Sequence, residues 1–371
     1  MKIIFTLLLI IIFIFNMYLY FFDSNKKGIL YSLIFGLLFG ILSFHFIPEI
    51  TYDLTKHHNV VDTIKNLSSS SNIIKYLYSI DLELLPKAIS LIISCFNNHN
   101  YLQLLITSIG YFLIFYMLYD YKKNIKLKSI YSIPLVLFII FGFHILYFFS
   151  GLYSIFSMIL FSFAFYLNYI KQKNKKVVYL FYALSLLMHN SIIFPFLILL
   201  FFKLTKEKIS IKTIILCIII YYFTGTILEF IDSITSIQFI SNINYMYNAY
   251  TSKNEIFIKY YSGYTYFIEL SKLLFLLLLS ILNSKNFKTN KKINDFIILM
   301  SVMILIMSFK SRIMIRYANL IQFIGIITIQ DFFVNIRKNN ILYYLLMIFL
   351  LFIYFLYFVH LLNTMNFDFF K

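Results

Sequence analysis

Tryptophan is missing from this chain, and four prolines, nine glycines and two cysteines are all it has of those types in 371 residues. The cysteines, Cys95 and Cys217, stand in apolar segments far apart, so they read as small core hydrophobes and not as a disulfide framework. No Gly/Ser-rich linker, charge block or internal repeat divides the chain. A Walker loop, a dinucleotide fingerprint, an HExxH zinc motif and a nucleophile elbow are absent too, which argues against soluble ATP-driven or redox chemistry. Acidic residues are scarce, 15 against 32 basic ones, leaving a net charge of +17. In a soluble protein that surplus would suggest a nucleic-acid partner. Here the lysines fall in short connectors between apolar runs, only Arg312, Arg316 and Arg337 are arginines, and no nucleic-acid partner is expected. The abundance of Phe, Ile, Asn, Lys and Tyr suggests an AT-rich genome, which raises lysine for reasons unrelated to partners.

What fills the chain instead is apolar sequence: 61% hydrophobic residues and a mean hydropathy of +0.84. Such a chain cannot form one soluble core with a polar exterior. Each crossing of a bilayer core of roughly 30 Å needs about 20 apolar residues. The fold class expected is therefore all-α and polytopic, with about 10 to 13 transmembrane or re-entrant helices in one membrane domain spanning residues 1–371. Helices are expected over Ile3–Phe22, read as a retained helix and not a signal peptide, and over Gly28–Ile47, Tyr101–Tyr119, Ile130–Phe149 and Leu152–Ile170. Further on they are expected over Val177–Met188 with Ser191–Phe202, then Ile211–Phe230, Tyr264–Asn283, Ile293–Ser308, Ile313–Ile329 and Ile341–Leu362. The basic connectors all fall on one side if the N-terminus lies outside, and that side is then the cytoplasm. The loops 48–83 and 231–263 are extracytoplasmic on this assignment, with Ser68 to Ser71 the flexible middle of the first. Leu84–Phe96 is re-entrant or extracytoplasmic, and the pair flanking His189-Asn190 is a broken hairpin facing a cavity.

Chemistry can come only from polar positions lodged among these helices. Asp53 and His57 are four apart, hence on one face if the segment after Pro48 is helical, with Lys56 beside them. A carboxylate on an imidazole or a sugar hydroxyl suits a general base, and Lys56 suits a phosphate. The same spacing suits an interfacial helix whose charges face water. His57 and His58 lack a clear third ligand, so no metal is assigned. Arg312 and Arg316, with Lys310, are cations in a turn on the outer side, and the planar guanidinium fork grips phosphate or carboxylate in two places. Snorkelling at a helix end is the plainer account of them. His189, before Asn190, Ser191 and Pro195, either hydrogen-bonds at the cavity or ties two helices together. Glu229 and Glu269 are placed to pair with the arginines or with Lys272. His45, His144 and His360 read as ordinary helix residues, and the Tyr and Phe richness as lipid-facing and interfacial surface.

Three blocks together resemble the EpsG family, related to Wzy-type polysaccharide polymerases. Tyr52-Asp53-Leu54-Thr55-Lys56-His57 looks like its acid-and-base motif, and Leu84-Leu85-Pro86-Lys87 through Tyr121, with Asn97-Asn98-His99-Asn100, like its following helix pair. Leu187-Met188-His189-Asn190-Ser191 looks like its His-small-apolar signature, and Arg312 to Tyr317 is a weaker similarity. The chain departs from the family at Lys56, where arginine is common, and at Gly151-Leu152-Tyr153-Ser154, where an Arg-Gln pair commonly opens the helix. The resemblance implies a multi-pass protein of the bacterial cytoplasmic membrane that joins polyprenyl-diphosphate-linked oligosaccharides on the outer face, using no cofactor or metal. It implies Asp53, His57 and His189 as catalytic residues and Lys56, His58, Arg312 and Arg316 as substrate contacts. Partners are then the lipid-linked oligosaccharide, the bilayer and other polysaccharide-assembly membrane proteins. Competing readings are a flippase or transporter of a glycan lipid, and a membrane acyltransferase modifying surface polysaccharide with His189 as base. The sugar and its linkage are not encoded legibly.

Overall fold

The computed structural model describes residues 28–50, 52–67, 69–80, 82–125, 129–209, 263–286, 290–307, 311–335 and 341–367, with the single positions 14, 18, 215 and 219. Apart from those single positions, the expected helices Ile3–Phe22 and Ile211–Phe230 lie outside the described residues. So do the 231–263 loop up to Tyr261 and Ser262, Glu229, Cys217, Lys310 and Arg337-Lys338. The described chain is almost entirely helical, as its composition requires, since lipid leaves no partner for a backbone group that is not satisfied within its own segment.

Two compact units emerge, residues 1–192 with 333–371, and residues 193–332. In the first unit α1 (Gly28–Phe44) leads through a short strand β1 (Phe46–Ile47) to α2 (Asp53–Asn66), α3 (Ser70–Ser79) and α4 (Leu84–Ser94). There follow α5 (Tyr101–Asn124), α6 (Ser129–Gly142), α7 (Ile145–Ser150), α8 (Leu152–Tyr169), α9 (Lys175–Met188) and a 3-10 turn (Asn190–Ile192). The second unit holds α10 (Ile193–Leu204), α11 (Gly263–Asn286), α12 (Lys291–Met307) and most of α13 (Ser311–Asn335). The chain then returns to the first unit with α14 (Ile341–Thr364) and β2 (Asn366–Phe367), which pairs antiparallel with β1, Phe46 opposite Phe367.

Four described stretches, Tyr101–Asn124, Leu152–Tyr169, Thr265–Ser284 and Arg316–Val334, are long and apolar enough to cross a membrane; shorter apolar helices accompany them. Helix α8 is the centre of the first unit, with every residue from Leu152 to Leu167 buried. Its serines turn their hydroxyls back onto the helix, Ser157 donating to the Ser154 carbonyl at 2.7 Å and Ser162 to that of Met158 at 2.8 Å, so they enter an apolar interior satisfied. At the lysine-rich end α8 is tied to α5: Lys171 meets Asp120 at 2.8 Å, and Tyr166 donates to the same carboxylate.

Helix α1 packs along α5 at unusually close range because glycine is what it presents. A Cβ on Gly36 would lie 2.4 Å from the Ser108 carbonyl oxygen, and one on Gly40 would lie 1.9 Å from Ser108 Oγ. Small residues four apart let backbones approach where lipid offers no hydrophobic drive to association. Around that contact Phe39 stacks on Tyr111 with centroids 3.8 Å apart and Phe35 on Phe115 at 4.2 Å. The expectation of aromatic residues as chiefly lipid-facing surface is corrected here: the largest fully buried side chains are all Tyr and Phe. Without tryptophan, these two types supply the large volumes that fill the interior.

Three other expectations change. Ile130–Phe149 is two helices, α6 and α7, because His144 leaves the helix and its Nδ1 accepts the Tyr147 N–H at 3.1 Å as the α7 N-cap; it is not an ordinary helix residue. The stretch around Ser68 to Ser71 is not simply a flexible loop centre, for Ser69 Oγ caps α3 by accepting from Asn72 N at 3.3 Å. Helix α13 runs six residues past Ile329, with Gln330 and Asp331 buried.

Candidate functional site

The polar segment after Pro48 becomes α2, whose inward face carries Leu54, His58, Val61 and Ile64. That stripe packs on α4 and α7, which leaves Asp53 and Lys56 on the solvent side. Their side chains are 54% and 75% exposed and 3.8 Å apart, a surface ion pair contributing little. His57 and His58 turn inward. The His57 ring lies against Tyr153 at the start of α8, centroids 4.3 Å apart, and its Nδ1 is enclosed without a hydrogen bond. His58 is buried, stacks on His99 at 4.1 Å, and has its Nε2 enclosed without a hydrogen bond beside α5. Gln103 on α5 donates through Nε2 to the carbonyls of Ser43 and Phe46, which binds the end of α1 to the same corner.

His99 is the residue this corner converges on. Its Nδ1–H donates to Asp62, 2.9 Å from Oδ2 and 3.1 Å from Oδ1. The turn that carries it is braced from α2, where Lys65 Nζ donates to the Asn97 carbonyl at 3.1 Å, and from within, where Asn98 Oδ1 accepts from Asn100 N at 2.8 Å. Asp62 is four residues after His58 and Lys65 three after Asp62, so one side of α2 holds the turn in place.

From His57 a second chain of contacts leads to His189. The Tyr153 hydroxyl sits 3.2 Å from Ser90 Oγ on α4, and Glu83, immediately before α4, accepts the Asn190 N–H through Oε1 at 2.9 Å. As expected from sequence, the helix breaks at His189, which is extended, with φ −164° and ψ 134°. Its Nδ1 accepts the Ser191 N–H at 3.0 Å. A neutral His189 therefore carries its proton on Nε2 and presents a donor, not a base.

Burial disfavours the charged imidazole of both inward histidines. Desolvation, opposed by Asp53 and reinforced by Lys56, holds His57 down at about 4. Desolvation, with His99 and His57 adding to it and Gln103 opposing, holds His58 at about 3. Between pH 6.5 and about 4 the unfolded chain binds protons that these folded rings refuse. Stability is thus present in full above pH 6.5 and lost as pH falls through that window. The thermal midpoint of the detergent-purified protein should be lower at pH 5 than at pH 7.5, and H58F should flatten the dependence; an unchanged slope would remove His58 as its cause.

The described contacts thus bring together Asp53, Lys56, His57, His58 and, through Tyr153 and Glu83, His189. Arg312 and Arg316 open α13 in the second unit, Arg316 half-buried. Four participants escaped the sequence reading as site residues: Asp62, Glu83, His99 and Tyr153. Extending the α2 face one more turn past His58 reaches Asp62; nothing local marks Glu83 or Tyr153. No group of three or more metal-ligating side chains occurs among the described residues.

Apart from that cluster, every buried Asp, Glu or Lys among the described residues lies on α11 to α13. Glu269 and Lys272, both fully enclosed, meet at 2.6 Å, and Gln322 of α13 donates to the other carboxylate oxygen at 3.2 Å. The pairing of Glu269 with Lys272 is one of those open from sequence. Farther along, Ser284 donates to Asp295 at 2.8 Å and Asn290 to Asp331 at 2.7 Å.

The model of a protein family described as the EpsG family matches residues 88–371. The match takes in His99, Tyr153, His189, Arg312 and Arg316 and begins beyond the Asp53–Asp62 stretch of α2. No curated protein and no solved structure matches the chain.

Proposed function

Since this chain belongs to the EpsG family, we propose that it is a membrane polysaccharide polymerase joining polyprenyl-diphosphate-linked oligosaccharide units on the outer face of the bacterial cytoplasmic membrane. The observation that carries the reading is the imidazole and carboxylate cluster at one end of the α5 and α8 bundle. Lys122 and Lys123 at the opposite end of α5 favour a cytoplasmic side there by the positive-inside rule, which supports an outer location for the cluster, where lipid-linked units are assembled. Glycosyl transfer from such a donor needs a group to take the acceptor hydroxyl's proton and cations to meet the departing diphosphate. Asp53, His57, His58 and His189 form the acceptor's side of the site in this reading. Lys56, Arg312 and Arg316 supply the positive charge. The partners are the lipid-linked oligosaccharide, the bilayer and the other membrane proteins of polysaccharide assembly.

Transport of the lipid-linked unit is the second reading, and the enclosed Glu269–Lys272 pair favours it, since ionisable residues inside membrane helices mark transport paths. One experiment separates the two. Deleting the gene of a polymerase should leave single lipid-linked units on the outer face and no long glycan on a gel. Deleting that of a flippase should leave the units on the inner face, and long glycan made normally without the protein would end both readings.

A further inference from the structure

We propose that Asp62 and His99 form the catalytic dyad of this site, with His99 Nε2 as the general base and Asp62 as its positioning residue. The assignment rests on the polymerase reading and goes beyond it, because neither residue was given a role in the site by the sequence motifs. Three observations carry it. First, the carboxylate fixes the tautomer: with Nδ1–H given to Asp62 at 2.9 Å, the neutral ring holds its lone pair on Nε2. Second, His99 is partly open. Its side chain is 35% exposed, whereas His58 is buried and the Nδ1 of His189 is taken by Ser191. Third, the ring is held rather than loose, by the flat face of His58 at 4.1 Å and by the bracing of its turn through Lys65. A base must be oriented before its substrate arrives, and this is how the orientation is set.

Asp53, the other carboxylate on α2, meets only part of the requirement. It sits on the solvent side with Lys56 at 3.8 Å as its partner, and water screens whatever that pair does.

The step balances as follows. The acceptor hydroxyl gives its proton to His99 Nε2 while its oxygen forms the new bond to the anomeric carbon of the donor. The bond from that carbon to the diphosphate oxygen breaks, and its electron pair leaves with the polyprenyl diphosphate. Asp62 stabilises the imidazolium so formed, which then loses its proton to water. A carboxylate in this position acts by orientation and charge without itself taking the proton.

The test uses the full chain in proteoliposomes, with the lipid-linked single units extracted from the deletion strain as substrate. H99A is expected to lose at least 100-fold in chain extension and to regain part of it when free imidazole is added. H99F keeps a flat ring against His58 and should fold like the wild type while remaining inactive. D62N should lower kcat at least tenfold with KM little changed, and D62E should restore part of the loss. Wild-type extension by H99F, or a folded H99A that imidazole does not rescue, would overturn the assignment. An inactive wild-type protein overturns the polymerase reading and the dyad with it, so the two failures are told apart.

Discussion

Replacing Glu269 or Lys272 alone by alanine is expected to remove the protein from the membrane fraction almost completely. Each leaves its partner's charge in a space with no exposed surface, without the counter-ion that stood 2.6 Å away. Breaking a buried pair from one side costs about 3–5 kcal/mol, which is a large part of the whole stability of a typical domain. Gln322, whose amide nitrogen donates to Glu269, carries no charge and so compensates only in part. The paired exchange E269Q/K272M removes both charges and keeps the volume, and it should accumulate close to wild-type levels. Quantitative blotting of membranes checks this. Normal accumulation of either single variant would mean that water reaches the pair. The double variant then asks the functional question: a folded but inactive protein would show that the charges serve the activity and not the fold.

The second large effect is expected at the α1–α5 contact. Gly36→Leu should lower the thermal midpoint most, because the new Cβ meets a backbone oxygen, that of Ser108, at 2.4 Å, and the helices must move apart. Even Gly36→Ala is expected to cost about 1–3 kcal/mol. Gly40→Ala meets the Ser108 hydroxyl first and the Leu104 carbonyl oxygen, at 2.9 Å, after it, so the added S108G should relieve Gly40→Ala in part and leave Gly36→Ala unrelieved. Melting curves of the four variants in one detergent decide it; equal rescue at both positions would mean that side chains and not backbones set the approach. Because α5 begins two residues after His99 and α1 leads into α2, separation of these helices should also loosen the Asp62–His99 contact.

Much of the fold was legible in sequence because lipid imposes a coarse and demanding rule: a crossing needs an apolar run, and most ends fell within a few residues of those expected. The failures have physical causes. His144 reads as one more residue in an apolar stretch, and only its ring nitrogen on Tyr147 N makes it a cap. The glycines at 36 and 40 carry no hydropathy signal of their own. At the candidate site, the sequence pointed to α2 and to the break at His189, since charge and histidine stand out against an apolar background. It could not point to Asp62 with His99, thirty-seven residues apart, because that pair depends on how α2 lies across the start of α5. Which of two adjacent histidines is enclosed, and which nitrogen of His189 is occupied, are likewise properties of packing.

The two-residue ladder joining β1 to β2 fixes a parity. Phe46 follows α1 and Phe367 follows α14, and their backbones are paired. If α1 and α14 both cross the bilayer, those crossings end at one leaflet, and the polypeptide between residues 47 and 366 then traverses it an even number of times.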